Sequence, residues 1–299
     1  MANTRLIKRR IKSAQNIAQI TRAMQMVAAS KMRKAQEQAL NGRAYSEKLQ
    51  SALASLLASS PNLKHPFLNP NASTDKTMLF VTTNKGLCGA LNTNHFRLIT
   101  NWLKDQQINQ IQFVTVGKKG REFILKLGGN IVADFSDLPS RFTFEDTLPI
   151  SHFLIKLFSE ESSNEAYMSY TNFISTLSQK PTSRQLLPIN TESIKTSLGL
   201  LEDLTQKETE TFYIKEYLLE PSARKIIDWL LPYYIELEVY HFLLESRASE
   251  YSAQMVAMKN ASENAKDLSD ELRLEYNRLR QQQITSEISD IVTAWKSLQ

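Results

Sequence analysis

The string Thr83-Asn-Lys-Gly-Leu-Cys-Gly-Ala-Leu91 combines the residue types in this chain that could most readily bind a phosphate group. It follows an apolar run and precedes a helical pattern, so helix-terminal amides could hold an anion there. A P-loop, however, needs four residues between its glycines and a following Lys-Ser or Lys-Thr pair, and a dinucleotide fingerprint needs three spaced glycines. This loop has only Gly86 and Gly89, with Lys85 before them. We interpret it as a tight strand-to-helix turn and predict no bound cofactor.

Other groups that could catalyse a reaction or ligate a metal are scattered along the chain. The four histidines lack the close spacing of metal ligands. We expect two of them at the surface, one as a helix cap and His241 in a coiled coil. Cys88 is the single cysteine, which excludes an internal disulfide and fits a reducing compartment. We interpret it as a packed small apolar residue, and we predict no metal site.

The composition is that of a globular protein, and its charge is unevenly distributed. The 299 residues are 42% hydrophobic and 22% charged, with a net charge of +5. Residues 1–36 contain nine Lys or Arg and no Asp or Glu, whereas residues 233–299 contain eleven acids and seven bases. A basic helix of this kind could bind nucleic acid, an anionic membrane surface or an acidic protein, and composition does not choose among them. No apolar stretch of about 18 residues predicts a helix that spans a bilayer.

Both ends of the chain predict long helices. In the N-terminal segment, apolar residues recur at steps of three and four, which predicts that they share one helix face: Ile7, Ile11, Ala14, Ile17, Ile20, Met24 and Val27. Residues 1–60 contain no proline, so we predict one helix of about 55 residues, or two with a break near Gly42.

From residue 233 to the end, proline is again absent and a seven-residue apolar repeat predicts a supercoiled helix. The repeat comprises Leu230, Leu237, Leu244, Tyr251, Met258, Ala265, Leu272 and Leu279. A helix over 233–299 would be about 100 Å long, so much of it must project from a compact domain. The N-terminal helix is the natural partner, which favours an antiparallel intramolecular coiled coil, with a parallel homodimer as the alternative.

The middle of the chain alternates short apolar runs with helical patterns, which predicts a doubly wound, mostly parallel sheet. We predict strands at 78–82, 111–116, 131–135, 166–174 and 211–219, and helices at 91–103, 118–127 and near 144–160. The chain is therefore expected to be an α/β protein with three parts: 1–60, an N-terminal coiled-coil helix; 61–220, a globular α/β domain; and 221–299, a C-terminal coiled-coil helix.

Three strings resemble the gamma subunit of F-type ATP synthase. They are Ile20-Thr-Arg-Ala-Met-Gln-Met-Val-Ala-Ala-Ser-Lys-Met-Arg33, the loop Lys85-Gly-Leu-Cys-Gly-Ala-Leu-Asn92, and a C-terminal series that includes Leu243-Leu-Glu-Ser-Arg-Ala-Ser-Glu250, Met255-Val-Ala-Met-Lys259 and Tyr276-Asn-Arg-Leu-Arg-Gln281. They occur in the order in which the family has them.

The resemblance implies a central-stalk rotor that couples ion translocation in the membrane sector to ATP synthesis or hydrolysis at the beta subunits. Its implied partners are the alpha and beta subunits, the epsilon subunit and the ring of c subunits, with no nucleic acid and with membrane contact only through the complex. Catalysis then belongs to the beta subunits, and the chain itself has no active site. The implied location is the cytoplasmic face of the bacterial inner membrane, as a peripheral subunit.

The resemblance also implies which residues touch partners. Met24 corresponds to a position that meets the beta lever, and the loop with Lys85 and Cys88 lies near the same region. The family presents a polar group to a catch loop of beta, and the corresponding residues here are Arg278, Arg280, Gln281 and Thr285. A departure from the family pattern stands near the C-terminus, where the bulky Trp295 replaces a small residue. The alternative function is a basic coiled-coil protein that binds nucleic acid or acts as a scaffold.

Overall fold

The structure is a computed structural model that describes residues 2–59, 65–189, 220 and 222–296. The chain separates into two compact units, one formed by residues 1–30 and 254–299 and the other by residues 31–253. Two long helices contribute to both units: α1 (Ala2–Ser59) and the C-terminal α5 (Ala223–Lys296). The N-terminal segment is therefore one helix without a break at Gly42.

The unit of residues 31–253 contains a sheet whose described strands follow the order β3-β2-β1-β4-β5. β1 pairs in parallel with both β2 and β4, β2 pairs in parallel with β3, and β5 is antiparallel to β4. The strands are β1 (Lys76–Val81), β2 (Ile111–Val116), β3 (Asn130–Asp134), β4 (Glu165–Phe173) and β5 (Gln179–Leu187). The helices between them are α2 (Leu91–Leu103), α3 (Lys118–Lys126) and α4 (Phe144–Ser159).

Helices cover both faces of this sheet because alternate strand residues point to opposite sides. On β1, Met78 and Phe80 pack with residues of α2 and α3, whereas Leu79 and Val81 pack with residues of α1, α4 and α5. The second layer includes a ring stack between Tyr170 of β4 and Phe242 of α5, with centroids 4.4 Å apart. The predicted doubly wound, mostly parallel domain is confirmed.

One strand of this unit differs from the sequence predictions. β5 was not predicted, because Pro181 and a run of polar residues give no strand signal; among the described strands it pairs with β4 alone. The predicted strand at 211–219 lies outside the described residues. α5 begins at Ala223, close to the start of the predicted C-terminal segment 221–299, and contains Pro232. Pro232 removes one main-chain hydrogen bond from this first stretch of the helix. Burial of Ile227 and Leu231 in the core offsets that loss.

Within the unit of residues 31–253, α1 and α5 run antiparallel. Lys31 lies over the ring of Tyr251, and Gln50 donates a hydrogen bond to Glu238 Oε1 at 2.9 Å. Residues later in α1 therefore contact residues earlier in α5. This is the intramolecular pairing predicted from the sequence.

In the other unit, small side chains line the contact between the two helices. Ser262 Oγ of α5 donates to the carbonyl oxygen of Ala18 in α1 at 3.1 Å, which requires a close approach of the two backbones. The most buried positions of α1 in this unit recur at every seventh residue: Ile7, Ala14, Thr21 and Ala28. On α5 the buried positions are Met258, Ala265 and Ser269, of which Met258 and Ala265 belong to the predicted repeat.

Candidate functional site

The first candidate surface is a second apolar stripe on α1, within the unit of residues 1–30 and 254–299. The sequence predicted that Ile17, Ile20 and Val27 share one helix face with Ile7 and Ala14, and the structure divides that face into a buried stripe and an exposed one. All three are exposed, Ile20 to 60%. The physical reason is that small residues permit the close helix contact, so the larger side chains occupy the neighbouring stripe and face outwards.

Met24 continues this exposed stripe and is itself half-buried. We name the four residues the outer stripe of α1: Ile17, Ile20, Met24 and Val27. The sequence singled out only Met24, although the spacing of three, four and three residues connects all of them. A contiguous exposed apolar surface of this kind is typical of an interaction site.

Basic side chains flank the outer stripe. Six of them are exposed and form no salt bridge with any residue that the structure describes: Arg5, Lys8, Arg9, Arg10, Lys12 and Arg22. This end of α1 therefore presents apolar contact area together with uncompensated positive charge, a combination suited to an acidic protein surface.

The second candidate surface is the C-terminal end of α5. Arg278, Arg280, Gln281 and Thr285 are all exposed, and the Thr285 hydroxyl donates to the carbonyl oxygen of Gln281 at 2.9 Å. Beyond them, every side chain from 284 to 295 is exposed. The apolar members of this stretch are Ile284, Ile288, Ile291, Val292 and Trp295. The C-terminal end of α5 thus exposes both polar and apolar side chains.

The third candidate is the loop after β1, in the unit of residues 31–253. Lys85 is exposed, whereas Cys88 is only 3% exposed. Burial raises the pKa of the Cys88 thiol above its ordinary value, so the thiol stays protonated and behaves as a packed side chain. The predicted packing role of Cys88 is confirmed.

Four amides next to this loop are bonded within the chain. The first amide of α2, at Leu91, donates to the Cys88 carbonyl at 3.3 Å. Three successive amides at the start of α3 are also satisfied: Lys118 N–H donates to Asn84 Oδ1 at 2.9 Å, Lys119 N–H to Thr83 O at 3.1 Å and Gly120 N–H to Thr82 Oγ1 at 2.7 Å. This geometry supports the interpretation of the loop as a structural turn.

The histidines differ in part from expectation. His65 caps a short helix by accepting from Phe67 N–H, as one histidine was predicted to do. His95, expected at the surface, is buried and shares a 2.7 Å hydrogen bond with Ser169 Oγ, and its burial lowers its pKa from 6.5 to about 3. In the part of the chain that the structure describes, no group of three or more His, Cys, Asp or Glu is arranged to hold a metal ion.

Comparison with known proteins identifies the family. A family profile described as ATP synthase matches residues 3–298. The ATP synthase gamma chain of Dehalococcoides mccartyi is 42% identical over 294 residues, which cover 98% of each chain. That of Cupriavidus pinatubonensis is 41% identical over 295 residues, with the same coverage. This chain belongs to the ATP synthase gamma chain family.

A solved structure shares the fold. The structure of the rotor of Euglena gracilis mitochondrial ATP synthase is similar with a TM-score of 0.62 and 21% identity, covering 95% of this chain and 99% of that chain. The predicted architecture of long terminal helices with a mostly parallel α/β domain is therefore confirmed. The predicted role of a central-stalk rotor subunit follows from membership of the gamma chain family, which the sequence relatives show. The alternative of a nucleic-acid-binding coiled coil is not favoured. Each described helix falls short of the apolar length that would cross a membrane.

Proposed function

We propose that this gamma-family chain rotates inside a hexamer of alpha and beta subunits and thereby couples ion translocation through the membrane sector to ATP synthesis or hydrolysis. The observation that carries the proposal is the exposed apolar surface of the unit formed by residues 1–30 and 254–299. Large side chains of the outer stripe of α1 and of the end of α5 remain exposed, whereas Ala14, Ala28 and Ala265 are buried. Such a surface is stabilised by an external partner that encloses it.

The outer stripe of α1 is proposed to contact the lever segments of the beta subunits. Its apolar side chains provide non-directional contacts, which permit sliding better than paired charges do. The flanking basic residues attract an acidic partner and orient it. Met24 lies within this surface, in agreement with the role that its position has in the family.

The exposed polar group at the end of α5 is proposed to meet a catch loop of beta. Arg278 and Arg280 offer guanidinium groups that can bind carboxylates in a bidentate manner, and Gln281 and Thr285 can donate further hydrogen bonds. The loop after β1 is proposed to contribute Lys85 as the contacting residue, because Lys85 is exposed whereas Cys88 is buried.

Rotation changes the beta subunits only if different rotor angles make different contacts. A ligand or partner shifts a conformational equilibrium by its differential affinity for the states. The two sides of this helix pair differ in charge and apolar content, so each angle of the rotor presents a different surface to a given beta subunit. Catalysis is proposed to remain with the beta subunits.

The remaining parts of the proposal concern the base of the rotor. We propose the three-part organisation 1–60, 61–220 and 221–299, in which the middle domain contacts the ring of c subunits and the epsilon subunit. We also propose a peripheral location at the cytoplasmic face of a bacterial inner membrane. The bacterial origin of the relatives named above supports this location.

Reconstitution with the matching alpha and beta subunits tests the proposal. We expect a stable complex in which this chain accelerates ATP hydrolysis, and we expect the complex to persist at about 1 M salt, where the Debye length falls to about 3 Å. Met24→Ala should reduce the acceleration more than Met26→Ala, because Met26 projects from a different side of the same helix. Failure to assemble, combined with tight and salt-sensitive binding of duplex DNA, would contradict the proposal.

A further inference from the structure

The carboxyl edge of the sheet in the unit of residues 31–253 is occupied by the chain's own helix. Doubly wound sheets have a crevice at this edge where the strand order reverses, which here is between β1 and β4. α5 packs at this edge, beside the end of β4: Ala248 and Tyr251 form one apolar cluster with Ala35, and Phe173 at the end of β4 packs against that cluster.

One side of α5 is hydrogen-bonded to the end of β4 and the turn that follows. Ser249 Oγ donates to the Thr171 carbonyl at 3.0 Å, and Ser252 Oγ donates to the Thr176 carbonyl at 2.7 Å. Both serines are 0% exposed. Gln179 Nε2 reaches the Ser252 hydroxyl at 3.4 Å as well.

Another side of α5 is bonded to the segment after β3. The Tyr251 hydroxyl donates to the Ser140 carbonyl at 3.1 Å, and Arg247 Nη2 donates to the Pro139 carbonyl at 3.4 Å. The other guanidinium nitrogen of Arg247 donates to Glu250 Oε2 at 3.0 Å, which orients the side chain. We name the four α5 residues that bond to the sheet edge the α5 clamp: Arg247, Ser249, Tyr251 and Ser252.

The spacing of the clamp residues places their bonds on two nearly opposite sides of the helix. At 3.6 residues per turn, the mean direction of Arg247 and Tyr251 differs from that of Ser249 and Ser252 by roughly 150°. Apolar packing is non-directional and resists separation of α5 from the sheet more than it resists a turn of α5 about its own axis. Hydrogen bonds on two opposite sides resist that turn, since any rotation lengthens bonds on both sides.

The two serines differ from several threonines on these helices. Thr21, Thr285 and Thr293 donate back to carbonyls three or four residues earlier in their own helix, as helical Ser and Thr commonly do. Ser249 and Ser252 instead donate to main-chain carbonyls of another element, so their bonds report on the angle between α5 and the sheet.

We propose that the α5 clamp holds α5 at a fixed angle about its axis, so that a turning force on the sheet reaches α5 without slip. This inference rests on the proposed rotor function. The clamp residues are positioning residues: they touch neither nucleotide nor beta subunit in this account. They act because α5 is an unbroken helix that continues from the clamp to Lys296.

Torsional stiffness in the assembled complex is the measurement that tests the clamp. The alpha and beta hexamer is fixed to a surface and arrested with a non-hydrolysable ATP analogue, and a bead is attached to the unit that contains the sheet. In the variant Ser249→Ala/Ser252→Ala we expect the angular variance of the bead to rise about twofold or more, because each lost hydrogen bond makes its unbonded arrangement roughly fivefold more populated. ATP-driven ion pumping per ATP hydrolysed should fall in parallel.

Two further variants keep the test decisive. Ser246→Ala is the matched control, because Ser246 is a buried serine of the same helix that forms no hydrogen bond with any described residue. It should leave the angular variance unchanged. Tyr251→Phe removes a single hydroxyl and keeps the ring, so it serves where the double variant does not assemble, and it should raise the variance by a smaller factor.

Wild-type variance in both clamp variants, or an equal rise in the Ser246→Ala control, would overturn the clamp while leaving the rotor function intact. If the unmodified chain does not enter the hexamer at all, the proposed function is overturned, and with it the clamp that rests on it.

Discussion

Two stretches of the same helix are built differently. In the first part of α5, Leu230, Leu237 and Leu244 are buried, and Phe242 stacks on Tyr170 against the sheet. In the last part, all side chains from 284 to 295 are exposed, although this stretch is also rich in apolar residues. The sequence pattern is helical in both, so the pattern determines the helix and the packing partner determines its burial. The exposed stretch is the one that requires a partner outside the chain.

α1 shows a similar difference between two stripes on its surface, one buried and one exposed. In the unit of residues 1–30 and 254–299, its buried stripe includes Ala14, Thr21 and Ala28, whereas the outer stripe has larger side chains such as Ile17 and Ile20. Hydrophobicity alone would assign the isoleucines to the inside. Close helix contact and partner binding have opposite requirements for side-chain size, and this helix meets both on adjacent stripes.

The largest expected effect separates the two ends of α5 by a pair of aromatic substitutions. Phe242→Ala should lower the free energy of unfolding by about 3–5 kcal/mol, because it leaves a cavity where a 6% exposed ring stacks on Tyr170. Trp295→Ala should change the stability of the isolated chain little, because its ring is 62% exposed. Thermal unfolding measures both, and a comparable loss in both variants would remove the distinction between the two stretches.

A pair of isoleucines tests the two stripes of α1. Ile7→Ala should destabilise the chain by about 2–3 kcal/mol, because Ile7 is only 3% exposed. Ile20→Ala should leave thermal unfolding of the isolated chain nearly unchanged and should instead weaken assembly with the alpha and beta subunits. If Ile20→Ala unfolds the chain as readily as Ile7→Ala, the outer stripe packs within the protein and is not an interaction surface.

Alanine substitutions at two glycines, Gly120 and Gly86, should differ less in their effect on stability. A Cβ at Gly120 would lie 2.6 Å from Thr82 Oγ1, the atom that accepts the hydrogen bond from Gly120 N–H. Gly120→Ala should therefore cost about 2 kcal/mol through overpacking. A Cβ at Gly86 would meet nothing within 4 Å, so Gly86→Ala is the matched control and should be close to neutral. Equal midpoints of chemical denaturation for the two variants would contradict this account of the loop and of the start of α3.

The smallest effect is a pH dependence from the packed interior. His95 is neutral when folded because burial lowers its pKa from 6.5 to about 3. Below pH 6.5 the His95 imidazole is protonated in the unfolded chain but stays neutral in the folded chain. The free energy of unfolding therefore decreases by about 1.4 kcal/mol per pH unit as the pH falls towards 3. In His95→Gln the stability difference from wild type should shrink between about pH 6.5 and pH 5. A difference that is independent of pH would contradict the buried neutral state.

Much of the fold could be predicted because its signals are local. The bounds of α2 and β2 follow from apolar runs and turn residues, and the repeat through Leu230 and Leu244 predicts buried positions of α5. β5 could not be predicted, because a polar strand with a proline has no local signal and depends on pairing with β4.

The candidate surfaces could be predicted only in part. Met24 was found by resemblance, whereas its neighbours in the outer stripe were predicted only to share one helix face, because spacing gives a shared face and not its environment. The α5 clamp was missed for a similar reason: Ser249 and Ser252 look like polar surface residues until their tertiary partners are known. His95 carries no sequence signal of burial at all.

Direct observation of rotation tests the central claim. A bead attached to this chain in a surface-fixed complex of alpha and beta subunits should turn in one direction while ATP is hydrolysed, and it should stop when ATP is exhausted. ATP hydrolysis by a fully assembled complex in which this chain stays at a fixed angle would contradict the account.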